Sequence, residues 1–341
     1  MRTTTRLAFV SLVAGLAIGL GGRAVAQQDV APSAPEQAPA SARLPREVVE
    51  AASAYEIFVE RAGAIDARFA DGEAIRAAMI TSETWQPEQL GQGVVDYAAL
   101  VALQDPRFVE GVRRAGATAA NAETLIRALE ADPRQVAAIE GADGAASHIN
   151  AVLTAQAERL AETGRKVKQS AYDIQHQAWS RQTVPDGAAR LALAKRLANL
   201  PVAPTAEDVA HLFQIAASQP AYAGAPSSAP PGYTPVVQRA LTLAALAALG
   251  RANRDELETA GLMRTRASAD CMQMARLNLY QCLAVAGPHY EDIFCMGEHA
   301  LKETSQCLRE SAGSPQIASA LPTHADGDYS VPTAYASADH R

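Results

Sequence analysis

Four cysteines, Cys271, Cys282, Cys295 and Cys307, constrain the fold of this chain more than any other feature, because all of them fall in one short stretch. The sequence before and after Gly287 is helical in character, which places two cysteines on each of two predicted helices. Cysteines eleven residues apart in one helix lie about 16 Å apart, whereas a disulfide needs Cα atoms within about 7 Å. The bridges therefore have to join the two helices.

An antiparallel helical hairpin allows only one pairing, because residues at the same level have residue numbers with a nearly constant sum. Cys271–Cys307 and Cys282–Cys295 meet this condition, and the crossed pairing does not. We predict these two nested disulfides, the inner one contributing about 3 kcal/mol. The interval from Cys295 to Cys307 is about 120° out of phase with whole helical turns, so we expect a local irregularity, with Gly297 as its candidate position.

The N-terminus has the features of a secretory signal peptide over residues 1–26. Arg2 and Arg6 precede an apolar stretch, Leu7 to Leu20, and Ala24-Val25-Ala26 supplies a small-residue cleavage site. Cleavage predicts a periplasmic or secreted protein, in a compartment where disulfides persist. The alternative is an uncleaved anchor, for which the apolar stretch is short, and no other segment predicts a transmembrane span.

Composition divides the remaining chain. Residues 27–45, rich in Ala and Pro, predict a flexible linker, and residues 313–341 predict a disordered tail. An N-terminal helical region, 46–218, and a C-terminal helical region, 233–312, flank a Pro/Ala/Ser/Gly loop at 219–232. The fold class is therefore all-α: a helical bundle or irregular helical array with a C-terminal disulfide-clamped hairpin.

A long helix over 148–181 carries the clearest periodicity. Large and small apolar residues each recur every seven positions along one seam: Leu153, Ala157, Leu160, Gly164, Val167, Ala171, Ile174 and Ala178. Such a coiled-coil-like seam with a small-residue column lets a partner helix approach closely. The partner is another helix of this chain, a second copy or another envelope protein. Further helices are predicted over 46–70, 87–103, 187–200 and 235–249 and after Asp105, Asp132 and Thr205.

Soft ligands gather near the cysteines. Met272, Met274, Met296 and His299 are candidates for a copper(I) site if they converge across the hairpin. The alternative is that these methionines fill core gaps beside the disulfides, and no cofactor is then expected.

Tyr172, His176 and Trp179 share one face of the predicted long helix at spacings of four and three. They are a candidate binding face. The alternative is that they form the polar flank of a packed helix.

Catalytic motifs for serine, zinc-peptidase or phosphate chemistry are missing from the sequence. Glu56, Glu60 and Asp66 are candidate carboxylates for a glycosidase by position only. A formal net charge of −7 argues against nucleic acid as the main partner. We expect a non-enzymatic exported scaffold or interaction protein of the cell envelope; the alternatives are a carboxylate-based cell-wall enzyme and a periplasmic copper-binding protein.

Overall fold

A computed structural model describes residues 44–218, 232–251, 261–262 and 265–313, and in these residues the chain forms helices without a strand, which confirms the all-α prediction. The first nine α-helices are α1 (Arg46–Gly63), α2 (Gly72–Glu83), α3 (Pro87–Ala102), α4 (Pro106–Ala115), α5 (Ala119–Ala131), α6 (Ala142–Ile174), α7 (Gly187–Leu197), α8 (Ala206–Ser218) and α9 (Pro235–Ala248).

The C-terminal hairpin consists of α10 (Arg266–Val285) and a second rod that changes its helix type twice. The rod begins as α11 (His289–Cys295), continues as a π-helical segment (Met296–Glu303) and ends as α12 (Thr304–Ser311). The predicted signal peptide, and nearly all of the predicted linker, loop and tail, lie outside the described residues. No helix in the described part of the chain is long and apolar enough to cross a membrane.

Helix starts follow the capping residues that the sequence indicates. The Asp105 carboxylate accepts a hydrogen bond from the backbone N–H three residues on, at the start of α4. Thr205 and Asp208 bond each other's backbone N–H groups at the start of α8, which forms a capping box. Asp132 caps only a short 3₁₀ helix, Pro133–Ala138, so the helix predicted after it is not an α-helix.

The structure of the first hundred residues differs from the sequence prediction in two places. Helix α1 ends at Gly63 instead of residue 70, and the buried Phe69 lies in the connection that follows. Helix α2 was not predicted, because only Ile75 and Met79 of its apolar side chains are fully buried and they make a weak periodic signal.

Helix α3 lies at the centre of the core. It packs against α1 on one side and α9 on another, and it also contacts α6 and α10. The side chains of α9 are buried from Val236 to Ala247 apart from Gln238 and Arg239, so the helix predicted here is a core helix. A single hydrophobic cluster contains residues of α1, α3, α9 and α12, so the regions before and after 219–232 share one core.

The long helix α6 starts and ends earlier than predicted, at Ala142 and Ile174. Its heptad seam is buried as far as Ile174 and packs along α11, the π-helical segment and α12. The partner of the seam is thus this chain's own hairpin. The expectation of self-association or of an envelope partner through the seam is therefore wrong, because the apolar surface it requires is already covered.

Both predicted disulfides are present, Cys271–Cys307 and Cys282–Cys295, with Cα–Cα distances of 5.7 Å and 5.6 Å. The π-helical segment lies between Cys295 and Cys307 and includes Gly297. A π-helical turn takes up one extra residue, about 100° of rotation, and so removes most of the expected phase difference. The irregularity predicted from the spacing is this π-helical segment.

Candidate ligand-binding cavity

A cavity of about 350 Å³ lies where α2, α7 and α11 meet, and we call it the α2/α7 cavity. Six apolar side chains line it: Ile75, Met79, Val184, Pro185, Ala189 and Leu193. Six polar side chains complete the lining: Arg76, Asp186, Arg190, Arg196, His289 and Asp292. A cavity of this size with an apolar wall and polar groups beside it is typical of small-molecule sites.

Arg190 connects the helices around the cavity. Its guanidinium donates from Nη1 to Asp292 Oδ1 at 2.5 Å and from Nη2 to the carbonyls of Leu283 at 2.5 Å and Ala286 at 2.9 Å. The side chain is only 8% exposed, and Nε is buried without a hydrogen-bond partner. One buried arginine on α7 therefore holds the end of α10 and the start of α11 in place.

The Asp292 carboxyl group is the perturbed acid of the cavity. Burial raises its pKa to about 6, against the opposing effect of the Arg190 guanidinium. At neutral pH the group is ionised and paired with Arg190. Asp292 is therefore about half ionised near pH 6, and the ion pair becomes complete as the pH rises above that value and is lost as the pH falls below it.

His289 reaches the cavity wall because Gly72 leaves room for it. A Cβ atom at position 72 would lie 2.6 Å from the His289 Cε1 atom. On another side the imidazole faces the Trp179 indole, with 6.2 Å between ring centroids. The start of α2 and the start of α11 are thus in direct contact across this ring.

A backbone ladder fixes the segment that connects α6 to α7. Val184 donates its N–H to the Gly287 carbonyl at 2.9 Å, and His289 donates to the Gln182 carbonyl at 3.2 Å. The connection carrying Val184 and Pro185 is therefore tied to the turn of the disulfide hairpin. The inner bridge, Cys282–Cys295, spans that same turn. It therefore restrains the turn to which this part of the cavity wall is hydrogen-bonded.

The charges of the cavity are unequally compensated. Asp292 is paired with Arg190, and Asp186 caps α7 by accepting from the Ala189 N–H at 2.8 Å. The exposed Arg76 has its Nη1 atom 3.8 Å from Oε1 of Glu73, which is more exposed still. Arg196 makes no ion pair with any described residue. The Arg196 guanidinium thus has no ion pair among the described residues, and that of Arg76 is held only by an exposed one, so both can meet a ligand.

The four candidate copper ligands do not all face one site. Met272 is fully buried and Met274 is 57% exposed, so they lie on different sides of α10. His299 Nδ1 is 2.8 Å from Glu303 Oε1, and the four cysteines are all in disulfides, so no thiolate is available. The described residues contain no group of three or more His, Cys, Asp or Glu side chains arranged to hold a metal ion.

The candidate binding face does not form either. Tyr172 lies in the last turn of α6, whereas His176 and Trp179 follow the end of that helix at Ile174. Tyr172 instead packs edge-on against Phe294, with 6.1 Å between centroids, and Trp179 turns to His289. The prediction of one shared helix face is wrong because the helix ends before it can be completed.

Among the candidate carboxylates, Glu56 is the one that lies buried. It is 5% exposed and accepts a hydrogen bond from Gln156 Nε2 at 2.9 Å. Burial raises the pKa of its carboxyl group to about 7. Glu60 is part-exposed beside His211 at 3.2 Å, and Asp66 is bound to Arg68. Glu56 is absent from the lining of the α2/α7 cavity and of the two further cavities described next.

Two other cavities are less suited to an apolar ligand. A cleft of about 1130 Å³ opens between α1, α3 and α10, but its apolar lining consists only of small side chains and Val202, and Arg46 there pairs with Glu50 at 2.6 Å. A third, of about 390 Å³, lies between α7 and α10 beside Lys195 and Tyr280. The α2/α7 cavity alone of the three combines large apolar walls with a buried ion pair.

This site was not predicted from the sequence. Arg190 and Asp292 resemble surface charges there, because their contact joins positions about a hundred residues apart. One signal was available: Asp71 before Gly72, with Ile75 and Met79 following, is a capped start of a short amphipathic helix. Comparison with models of known protein families, with curated proteins and with solved structures finds no match to this chain.

Proposed function

We propose that this chain is a non-enzymatic, exported protein of the cell envelope that acts by binding a small molecule in the α2/α7 cavity. The observation that carries the proposal is the construction of that cavity. Large apolar side chains form its walls, and a buried ion pair, Arg190–Asp292, fixes the helices around it. The sequence led us to expect an interaction protein. In this proposal the α2/α7 cavity makes the interaction, and the heptad seam of α6 does not.

Export is the second part of the proposal. Two disulfides in a helical hairpin fit an oxidising compartment. The test is the intact mass of the protein isolated from its own cell envelope. The proposal expects a chain that begins at Gln27 and has lost four thiol hydrogens; a full-length chain with free thiols would contradict export.

Binding is tested by a thermal-shift screen of small amphiphilic compounds against three proteins. Ala189 is exposed on α7 and lines the cavity, so Ala189→Trp fills the cavity without disturbing the core. Ala188 is also exposed on α7 but is not part of the lining, which makes Ala188→Trp the matched control. Compounds that stabilise the wild type and Ala188→Trp, but not Ala189→Trp, support the proposal. Compounds that stabilise all three equally, or a screen without any binder, contradict it.

A further inference from the structure

We infer that the ligand of the α2/α7 cavity is a small molecule with an apolar body and one carboxylate group, held by the guanidinium groups of Arg76 and Arg196. The inference rests on the proposed function and deepens it. It follows from how the charges and the apolar surface of the cavity are distributed.

The polar lining is more positive than the chain as a whole. Three arginines, Arg76, Arg190 and Arg196, face two aspartates, Asp186 and Asp292. The whole chain has the opposite balance, with 30 Lys and Arg against 37 Asp and Glu. A surplus of guanidinium groups in an acidic protein favours an anion at this position and disfavours it elsewhere.

The surplus is available to a ligand. The carboxylates of Asp292 and Asp186 are used within the protein, by Arg190 and by the first turn of α7. Arg196 has no ion-pair partner among the described residues, and Arg76 is 3.8 Å from a glutamate that is itself 78% exposed. Unpaired or weakly paired guanidinium groups bind carboxylates readily, because their planar N–H donors match the two carboxylate oxygens.

The rest of the lining requires an apolar body. Ile75 and Met79 are fully buried on α2, and Leu193 lines the opposite wall from α7. A fully hydrophilic anion would leave these walls in contact with a polar surface and lose the energy of apolar burial. An apolar molecule without charge would make no use of the Arg196 guanidinium, which has no ion pair among the described residues, or of the weakly paired Arg76.

The test compares octanoate with octanamide, which has the same chain and no charge, by NMR or calorimetric titration. We expect octanoate to bind at least tenfold more tightly than octanamide. The double variant Arg76→Gln/Arg196→Gln should lose at least that factor for octanoate and leave the affinity for octanamide unchanged. The control is Arg113→Gln/Arg127→Gln, which removes the same charge from exposed positions on α4 and α5, helices that do not line the cavity.

Equal affinity for the two probes, or an octanoate affinity that falls equally in both double variants, would overturn the inference. Either result would leave the proposed function intact if Ala189→Trp still blocked binding. Octanoate binding that persists in Ala189→Trp would place the anion site outside the cavity and would also overturn the inference. Failure of both probes, with other screened compounds still bound in the cavity, would show that the ligand belongs to another chemical class.

Discussion

Gly164 of α6 and Gly297 of the π-helical segment lie so close together that a Cβ atom on either would come within 3.0 Å of the other's carbonyl oxygen. The small-residue column of α6 therefore exists to admit the hairpin of the same chain. The π-helical segment brings Gly297 to this contact and keeps Cys307 in register with Cys271.

This contact predicts that Gly297→Ala destabilises the protein. A Cβ atom at position 297 would also lie 2.5 Å from the backbone nitrogen of Lys168, so backbone has to move. We expect a loss of about 2 kcal/mol in the free energy of unfolding, measured by urea denaturation. Gly287→Ala is the control, because nothing lies within 4 Å of a Cβ atom there. Equal stability of the two variants would contradict the close packing.

Arg276 and Glu83 form a second buried pair, with Arg276 Nη1 2.7 Å from Glu83 Oε2 and the Arg276 guanidinium 3.9 Å from the centre of the Trp85 ring. Arg276→Met leaves the Glu83 carboxylate buried without its partner, and we expect a loss of about 3 kcal/mol. The double variant Glu83→Leu/Arg276→Met should recover most of this loss, because no unpaired charge remains. Urea denaturation of Arg276→Met, of Glu83→Leu and of the double variant gives the coupling energy, and additive losses would contradict the pairing.

Glu56 predicts a pH dependence of stability. Its pKa in the folded protein, about 7, is raised above the ordinary value by burial, so the folded state binds the proton more tightly than the unfolded state. The free energy that this proton adds to the stability of the folded protein is fully present below about pH 4.5. It is lost as the pH rises to about 7. At pH 8.5 Glu56→Gln should therefore be more stable than the wild type by roughly 3 kcal/mol, and at pH 4.5 the two should be similar.

Urea denaturation at the two pH values measures this effect. Glu60→Gln, one helical turn further on and 40% exposed, is the control and should change little at either pH. A Glu56→Gln variant that is no more stable than the wild type at pH 8.5 would show that the carboxylate is stabilised by its neighbours in the ionised form.

The two disulfides should differ in their effect on the cavity. Replacing Cys282 and Cys295 by Ala should cost about 3 kcal/mol and also weaken ligand binding, because this bridge spans the turn that leads to His289. Replacing Cys271 and Cys307 by Ala should cost about 4 kcal/mol and leave the affinity unchanged, since that bridge closes the other end of the hairpin. Denaturation and ligand titration separate the two effects, and equal loss of affinity in both variants would contradict this assignment.

The local part of the fold was predictable from the sequence. The pairing of the cysteines follows from helix geometry, and Asp105 and Thr205 cap helices by contacts within three residues. The buried helix α9 is visible as a nearly continuous apolar run. In each case the chemistry that decides the structure lies within a short stretch of chain.

The site was not predictable in the same way. The α2/α7 cavity depends on Arg190 meeting Asp292 and on Gly72 meeting His289, and these contacts join parts of the chain that are far apart in sequence. The heptad seam of α6 revealed a close helix contact but not its partner. The binding face predicted at Tyr172, His176 and Trp179 does not form because α6 ends at Ile174. No glycine or proline marks that end in the sequence.

The most direct test of the account is methyl NMR of the protein with ¹³C-labelled methionine methyl groups. Met79 lines the α2/α7 cavity, whereas Met272, Met274 and Met296 lie in the hairpin away from its lining. Addition of small amphiphilic compounds, octanoate and octanamide among them, should shift the Met79 resonance saturably and leave those of the three hairpin methionines in place. Binding that shifts only the hairpin methionines, or a Met79 resonance that no compound moves, would contradict a ligand site in this cavity.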